Sequence, residues 1–183
     1  MAFKYRKNLN GNSHPATIRV IIDNSDVVER WDAVKCLNGN LEILAATSSQ
    51  SVFGIVNDIV DKYGNSVFGS LAVLGSATVS GNVVTVASNN ETVDLIAADV
   101  IIDKNAVFSA DVTGTVNTTV SSTKPGAYVN CDDENSLDET TATRTAGTAR
   151  QFYSLGADPQ DTTRLLVLIN ASEVYNNIDV LAA

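Results

Sequence analysis

The sequence predicts an all-β fold, a barrel or sandwich, with an added β-meander and an extended N-terminal arm. Asn, Ser and Thr fill more than a quarter of the 183 positions, and Val is the commonest apolar residue. Val and Thr suit a pleated surface, whereas Asn and Ser favour turns. Short apolar runs, roughly ten to twelve of them, recur about every 8–12 residues between turn-forming clusters.

Residues 1–16 carry Asn8, Asn10, Gly11, Asn12, Ser13 and Pro15 without periodicity, and read as an extended arm. Thr17–Ile22 is the first expected strand, and 23–26 a turn. Val34–Leu37 and Leu41–Leu44 flank Asn38-Gly39-Asn40, a hairpin signal because Asn and Gly tolerate positive φ. Residues 51–60 form a nearly unbroken apolar segment in which Gly54 marks a bulge or a close backbone approach. A helix over 55–63, ending at Gly64, is the disfavoured alternative, because β-branched residues crowd that stretch.

Between 66 and 98 the texture changes. Leu71–Leu74, Ala77–Val79, Val83–Val86 and Val93–Ile96 read as the short strands of an inserted β-meander with little charge. Asp99–Ile102 and Ala106–Phe108 read as a hairpin around 103–105, and 112–120 as a Thr-faced strand. Residues 131–148, almost without large apolar groups, read as a long acidic loop. Gln151–Leu155 and Arg164–Ile169 are the last strands, joined by a turn at 158–161, before a tail over 171–183.

Several functions are disfavoured. No apolar run approaches the roughly 20 residues that span a bilayer, so no membrane is expected. The charged start lacks an apolar stretch behind it, so no signal peptide is expected, and assembly in the cytoplasm follows. The net charge of −9 argues against nucleic acid as a partner. Yet Lys4, Arg6, Lys7 and Arg19 all precede the first acid, Asp23, so a cationic start leads into an anionic body. One histidine, His14, and two cysteines outside any Cys-x-x-Cys motif exclude His-rich zinc sites and nearly remove nucleophilic triads. Cys36 is expected in a core. Cys131, beside two aspartates, is a poor nucleophile. No phosphate loop, dinucleotide fingerprint or nucleophile elbow is present, so neither a cofactor nor an enzymatic activity is expected.

Asp132, Asp133, Glu134, Asp138 and Glu139 could ligate a divalent cation, but Leu137 stands where an EF-hand has glycine, and a solvated loop is the preferred reading. Acid pairs for glycoside hydrolysis are unspecific in a chain with 21 acids. Trp31, Phe53, Tyr63 and Phe68 are expected in a core rather than in a sugar platform. The Asn90, Asn117 and Asn170 sequons are chance matches in such a composition. The arm has two readings. It is a disordered start, or Lys4, Arg6 and Lys7 dock on an acidic neighbour with Phe3 and Tyr5 as strand-like anchors, over a reach of roughly 50 Å.

The runs Val28–Thr47 and Ser51–Ile59 resemble the head decoration, or capsid cement, proteins of tailed bacteriophages. The matching positions are Asp32-Ala33-Val34, Gly39 and Phe53-Gly54-Ile55, with Phe108–Ala110 and Arg164–Ile169 similar to the final strands. The likeness covers about half the chain. It implies a β-tulip barrel begun by residues 17–65, interrupted by 66–98 and completed by 99–170. It also implies a non-enzymatic virion protein on the outer capsid surface. Its partners would be the major capsid protein lattice and neighbouring copies of itself as a homo-oligomer. The alternative is a tail-fibre or baseplate β-domain recognising host glycans.

Overall fold

The computed structural model describes residues 3–44, 51–113, 125–143 (side chains to residue 138) and 151–170. The chain is built almost entirely from strands. They begin with β1 (Phe3–Asn8), β2 (Thr17–Ile21), β3 (Val27–Glu29), β4 (Ala33–Leu37) and β5 (Asn40–Ile43). β6 (Gly54–Val60), β7 (Thr78–Ser80) and β8 (Val83–Thr85) follow, then a single π-helical turn at Asn90–Asp94. β9 (Ala97–Ile101), β10 (Ala106–Val112), β11 (Tyr128–Cys131), β12 (Ser136–Thr143), β13 (Phe152–Asp158) and β14 (Asp161–Ile169) complete the order. Among the described residues no helix is long and apolar enough to cross a membrane.

Three sheets result. The six-stranded sheet runs β1-β10-β12-β11-β13-β14, and β14 pairs back onto β10, so five of its strands form a barrel-like ring with β1 alongside β10. All its pairings are antiparallel except the short β10–β12 contact. The second sheet is β2-β9-β6-β4-β5 and the third β3-β8-β7. The ring is therefore made by the strands after residue 105, with β1 added beside β10. Residues 17–65 supply four strands of the five-stranded sheet, which β9 completes, together with β3, instead of opening the barrel.

Two cores lie on opposite faces of the five-stranded sheet. Phe3, Phe108, Leu137, Phe152, Leu165 and Val167 fill the ring and meet Ala33, Leu44, Val52, Ile55 and Ile101. Phe53, Val34, Val56, Ile59 and Val100 point the other way, toward Val28, Ala77, Val84, Val86 and Ile96. This explains the unbroken apolar run at 51–60: successive residues of β6 face opposite sides, and both sides are covered. Along β13 and β14 burial alternates, with Phe152, Ser154, Leu165, Val167 and Ile169 inward, as expected for a sheet wet on one side.

The Asn38-Gly39 hairpin forms as expected, with φ of 52° and 86° at its two central residues and Leu37 opposite Asn40. Other expectations are corrected. Residues 103–105 do not close a hairpin, because β9 stays in the five-stranded sheet while β10 enters the ring. Of the four strands expected over 66–98, only Thr78–Ser80 and Val83–Thr85 form. They pair with each other, Val83–Thr85 pairs in turn with β3, and the segment covers the second core. In its described part the expected acidic loop is a turn at 132–135 between β11 and β12, because Cys131 and Leu137 pair and both are buried. The 112–120 strand, residues 144–148 and the 171–183 tail fall largely or wholly outside the described residues.

Candidate functional site: a cationic face on the barrel

The chain start is a packed strand, which corrects the arm reading over Phe3–Asn8. Phe3 is fully buried, stacked on Phe152 at 5.1 Å and edge-on to Phe108 at 6.5 Å. Tyr5 meets Phe108 edge-on at 6.2 Å. The partners of β1 lie at residues 106–110, far along the chain, where local periodicity gives no hint of them.

Strict alternation would place Lys4 and Arg6 on one face of β1, and Lys7 with Phe3 and Tyr5 on the other. A bulge prevents this. Tyr5 pairs with Phe108 and Lys7 with the next residue of β10, Val107, leaving Arg6 as the extra residue. The phase of the strand thereby shifts, so that Lys7 is exposed while Asn8 turns inward. Lys4, Arg6 and Lys7 consequently share the outer side of the ring.

Arg6 is held in place. Its Nε and Nη2 donate to Asp158 Oδ2 at 3.1 and 2.5 Å, and its Nη1 donates to Gln160 Oε1 at 2.8 Å. Burial pushes the Asp158 carboxyl up, but the Ser109 hydroxyl, the Gln160 N–H and Arg6 outweigh it and hold the group below the usual carboxylate range. Arg164 pairs with Asp111 and donates to the Ser109 hydroxyl and carbonyl at 2.9 and 2.8 Å. Among the described residues Lys4 and Lys7 form no ion pair. Two hollows flank Arg6. One of about 330 Å³ lies between Tyr5, Lys7 and the Asp158–Gln160 turn, and one of about 220 Å³ between Lys4, Asp161 and Arg164. This face offers N–H donors, and the ammonium groups of Lys4 and Lys7, which pair with no described acid, to a partner bearing carboxylates or carbonyls. Sequence reasoning found the three cations but missed Asp158, Gln160 and Arg164, whose roles depend on the ring closing.

The family-like residues lie together in the five-stranded sheet. Ala33 pairs with Ile55 and Val34 with Gly54. Ala33 and Ile55 face the ring core, whereas Val34 and Phe53 face the second core. A Cβ at Gly54 would collide with the Ile101 carbonyl and the Val100 side chain, so only glycine fits against β9. Gly39 serves the hairpin turn. Asp32 is buried at the turn between β3 and β4. Its Oδ2 accepts the Glu29 N–H at 2.7 Å, while Oδ1 finds no partner among the described residues. Burial pushes this carboxyl up to about 8, opposed by the Glu29 N–H and reinforced by the charges of Glu29, Glu134 and Asp133.

The remaining candidates are placed as follows. Asp132 accepts the Thr113 hydroxyl at 2.6 Å, Asp133 accepts the Asn135 N–H at 2.8 Å, and Glu134 accepts the Asn135 amide at 3.1 Å. Among the described residues no group of three His, Cys, Asp or Glu is placed to hold a metal. His14 is exposed and bonds Ser13 at 2.9 Å. Cys36 and Cys131 are buried, and burial pushes both thiols up. Phe53 is in the core, but Tyr63 is 68% exposed, which corrects the core expectation there. Asn90 is fully buried, donating to the Ile22 and Ile96 carbonyls at 2.7 and 2.9 Å, so its sequon is a structural pin. Comparison with protein families, curated proteins and solved structures finds no match.

Proposed function

We propose that this chain is a non-enzymatic structural protein that binds the outer surface of an assembled tailed-bacteriophage capsid, as a decoration or cement protein. The observation that carries the reading is the Arg6 bulge, which gathers Lys4, Arg6 and Lys7 on one side of the ring in an otherwise anionic molecule. The sequence resemblance around Asp32–Val34 and Phe53–Ile55 supports it. So does a surface rich in Asn, Ser and Thr, whose short side chains lose little entropy when ordered at an interface. Contacts that are weak singly become stable over a repeating lattice, with neighbouring copies adding to them.

The test is co-sedimentation with empty capsids. Lys4→Glu combined with Lys7→Glu is expected to weaken binding about tenfold, since exposed ion pairs contribute roughly 0.2–1 kcal/mol each and reversal adds repulsion. Unchanged co-sedimentation of the folded variant would sink the assignment of this face. A second reading, a tail-fibre or baseplate domain recognising host glycans, is favoured by one feature. Exposed Tyr63 stands two residues from a hollow of about 270 Å³ lined by Asn65, Ser66, Gly69, Ser70 and Leu71. Glycan-array binding by a chain that ignores capsids would select that reading.

A further inference from the structure

The Glu29–Ala33 turn leads from β3 into β4 and lies against the ring, and two unusual features coincide there. Trp31, a bulky residue, sits at φ 76°, in the left-handed region that such side chains avoid. Asp32 is buried with Oδ1 unpartnered. The packing of Trp31 and Ala33 on the ring core and a set of backbone hydrogen bonds close the joint. Ala33 N–H donates to the Glu134 carbonyl at 2.8 Å, Trp31 N–H to the Val56 carbonyl at 2.8 Å, and Val56 N–H to the Asp32 carbonyl at 2.9 Å. The Ala33–Glu134 bond ties the turn directly to the 132–135 turn of the ring.

We propose that this joint is a proton-operated latch: with Asp32 neutral the Glu29–Ala33 turn stays docked on the Asp132–Asn135 turn, and loss of the Asp32 proton to water undocks the two. The inference goes beyond the capsid reading and does not depend on it. Once ionised, Oδ1 has no donor in place, and a buried charge without a donor is far costlier than a buried neutral acid. The surroundings offer little relief. Glu29 approaches from β3, and Asp133 and Glu134 from the ring turn, all acidic. On β6, Asp58 is engaged by Arg30 at 2.5 Å, and on β4, Lys35 is engaged by Glu42 at 2.8 Å. Opening brings water to the carboxylate, separates it from Glu134 and frees Trp31 from its left-handed backbone.

Trp31 is the chain's single tryptophan and packs against the ring core, so its fluorescence reports the joint. Titrated from about pH 6 to about pH 10, the intact protein is expected to show one red shift with a midpoint near pH 8, while its far-ultraviolet circular dichroism stays constant. Asp32→Asn is expected to remain blue-shifted throughout. Glu134→Gln, which removes a repelling charge, is expected to move the midpoint to lower pH. It decides the matter even where Asp32→Asn does not fold. A flat wild-type emission, an identical titration in Asp32→Asn, or an unmoved midpoint in Glu134→Gln overturns the proposal.

Discussion

A single buried carboxyl sets the pH behaviour expected of this molecule. The Asp32 acid is raised from an ordinary value of 3.8 to about 8 on folding, so the native chain holds a proton that the unfolded chain has released. Between those values stability must fall as pH rises, by up to roughly 1.4 kcal/mol per pH unit, until the latch opens and caps the loss. Asp32→Asn removes the linked proton while its side-chain oxygen can still accept the Glu29 N–H. Its melting temperature is therefore expected to match wild type near pH 4 and to exceed it increasingly toward pH 8, and parallel curves would refute the linkage. The sequence put Asp32 in a family-like motif, but its burial was hidden, because the covering turn at 132–135 lies a hundred residues further on. Gly39 and Gly54 were legible, one through its Asn partner in a hairpin, the other as a glycine inside a run that packs on both faces.

At the scale of the element, β1 shows why a strand can be mistaken for an arm. Phe3-Lys-Tyr-Arg alternates for four residues, then Lys7 and Asn8 break the phase where the bulge falls, and a cluster of turn formers follows. The anchor of that bulge is the Arg6–Asp158 pair, in which the Asp158 side chain is only 2% exposed. Arg6→Ala leaves Asp158 with the Gln160 N–H and the Ser109 hydroxyl but no cation, at an expected cost of roughly 2–3 kcal/mol. Lys4→Ala or Lys7→Ala is expected to change stability by no more than about 0.5 kcal/mol. Because the Asp158 carboxyl is depressed in the fold, its stabilisation is fully present at neutral pH and fades as pH falls below 3.8 and through the lowered value. Urea unfolding at neutral and acid pH checks both points. Equal stabilities for Arg6→Ala and Lys4→Ala at neutral pH would mean that the bulge is not held this way. The acidic segment misled for a related reason. Its strand Ser136–Thr143 is made mostly of acidic residues and Thr, and its inward anchor Leu137 pairs with Cys131, which the sequence places beside two aspartates.

Over the whole molecule, the five-stranded sheet binds the two cores together, since Ala33, Ile55 and Ile101 face one while Val34, Val56 and Val100 face the other. The all-β class was readable from composition and spacing, but the division into ring and sheet was not, because it depends on β14 returning to β10 and on β9 and β10 parting at residue 103. The shared sheet implies one cooperative unfolding transition rather than two. The pairing of β1 with β10 likewise makes Phe3–Asn8 part of the ring's sheet, with Phe3 in its core, instead of a dispensable extension. Phe3→Ala keeps every charge of the cationic face yet empties a site between Phe108 and Phe152, a change that costs about 3–5 kcal/mol in such cores. For a chain of this size that corresponds to a fall in melting temperature of roughly 6–20 °C. A calorimetric scan is expected to show one peak for wild type and one, shifted down as a whole, for Phe3→Ala. Two separated peaks, or a variant that melts like wild type, would show that β1 is an appendage and that the ring and the sheet fold independently.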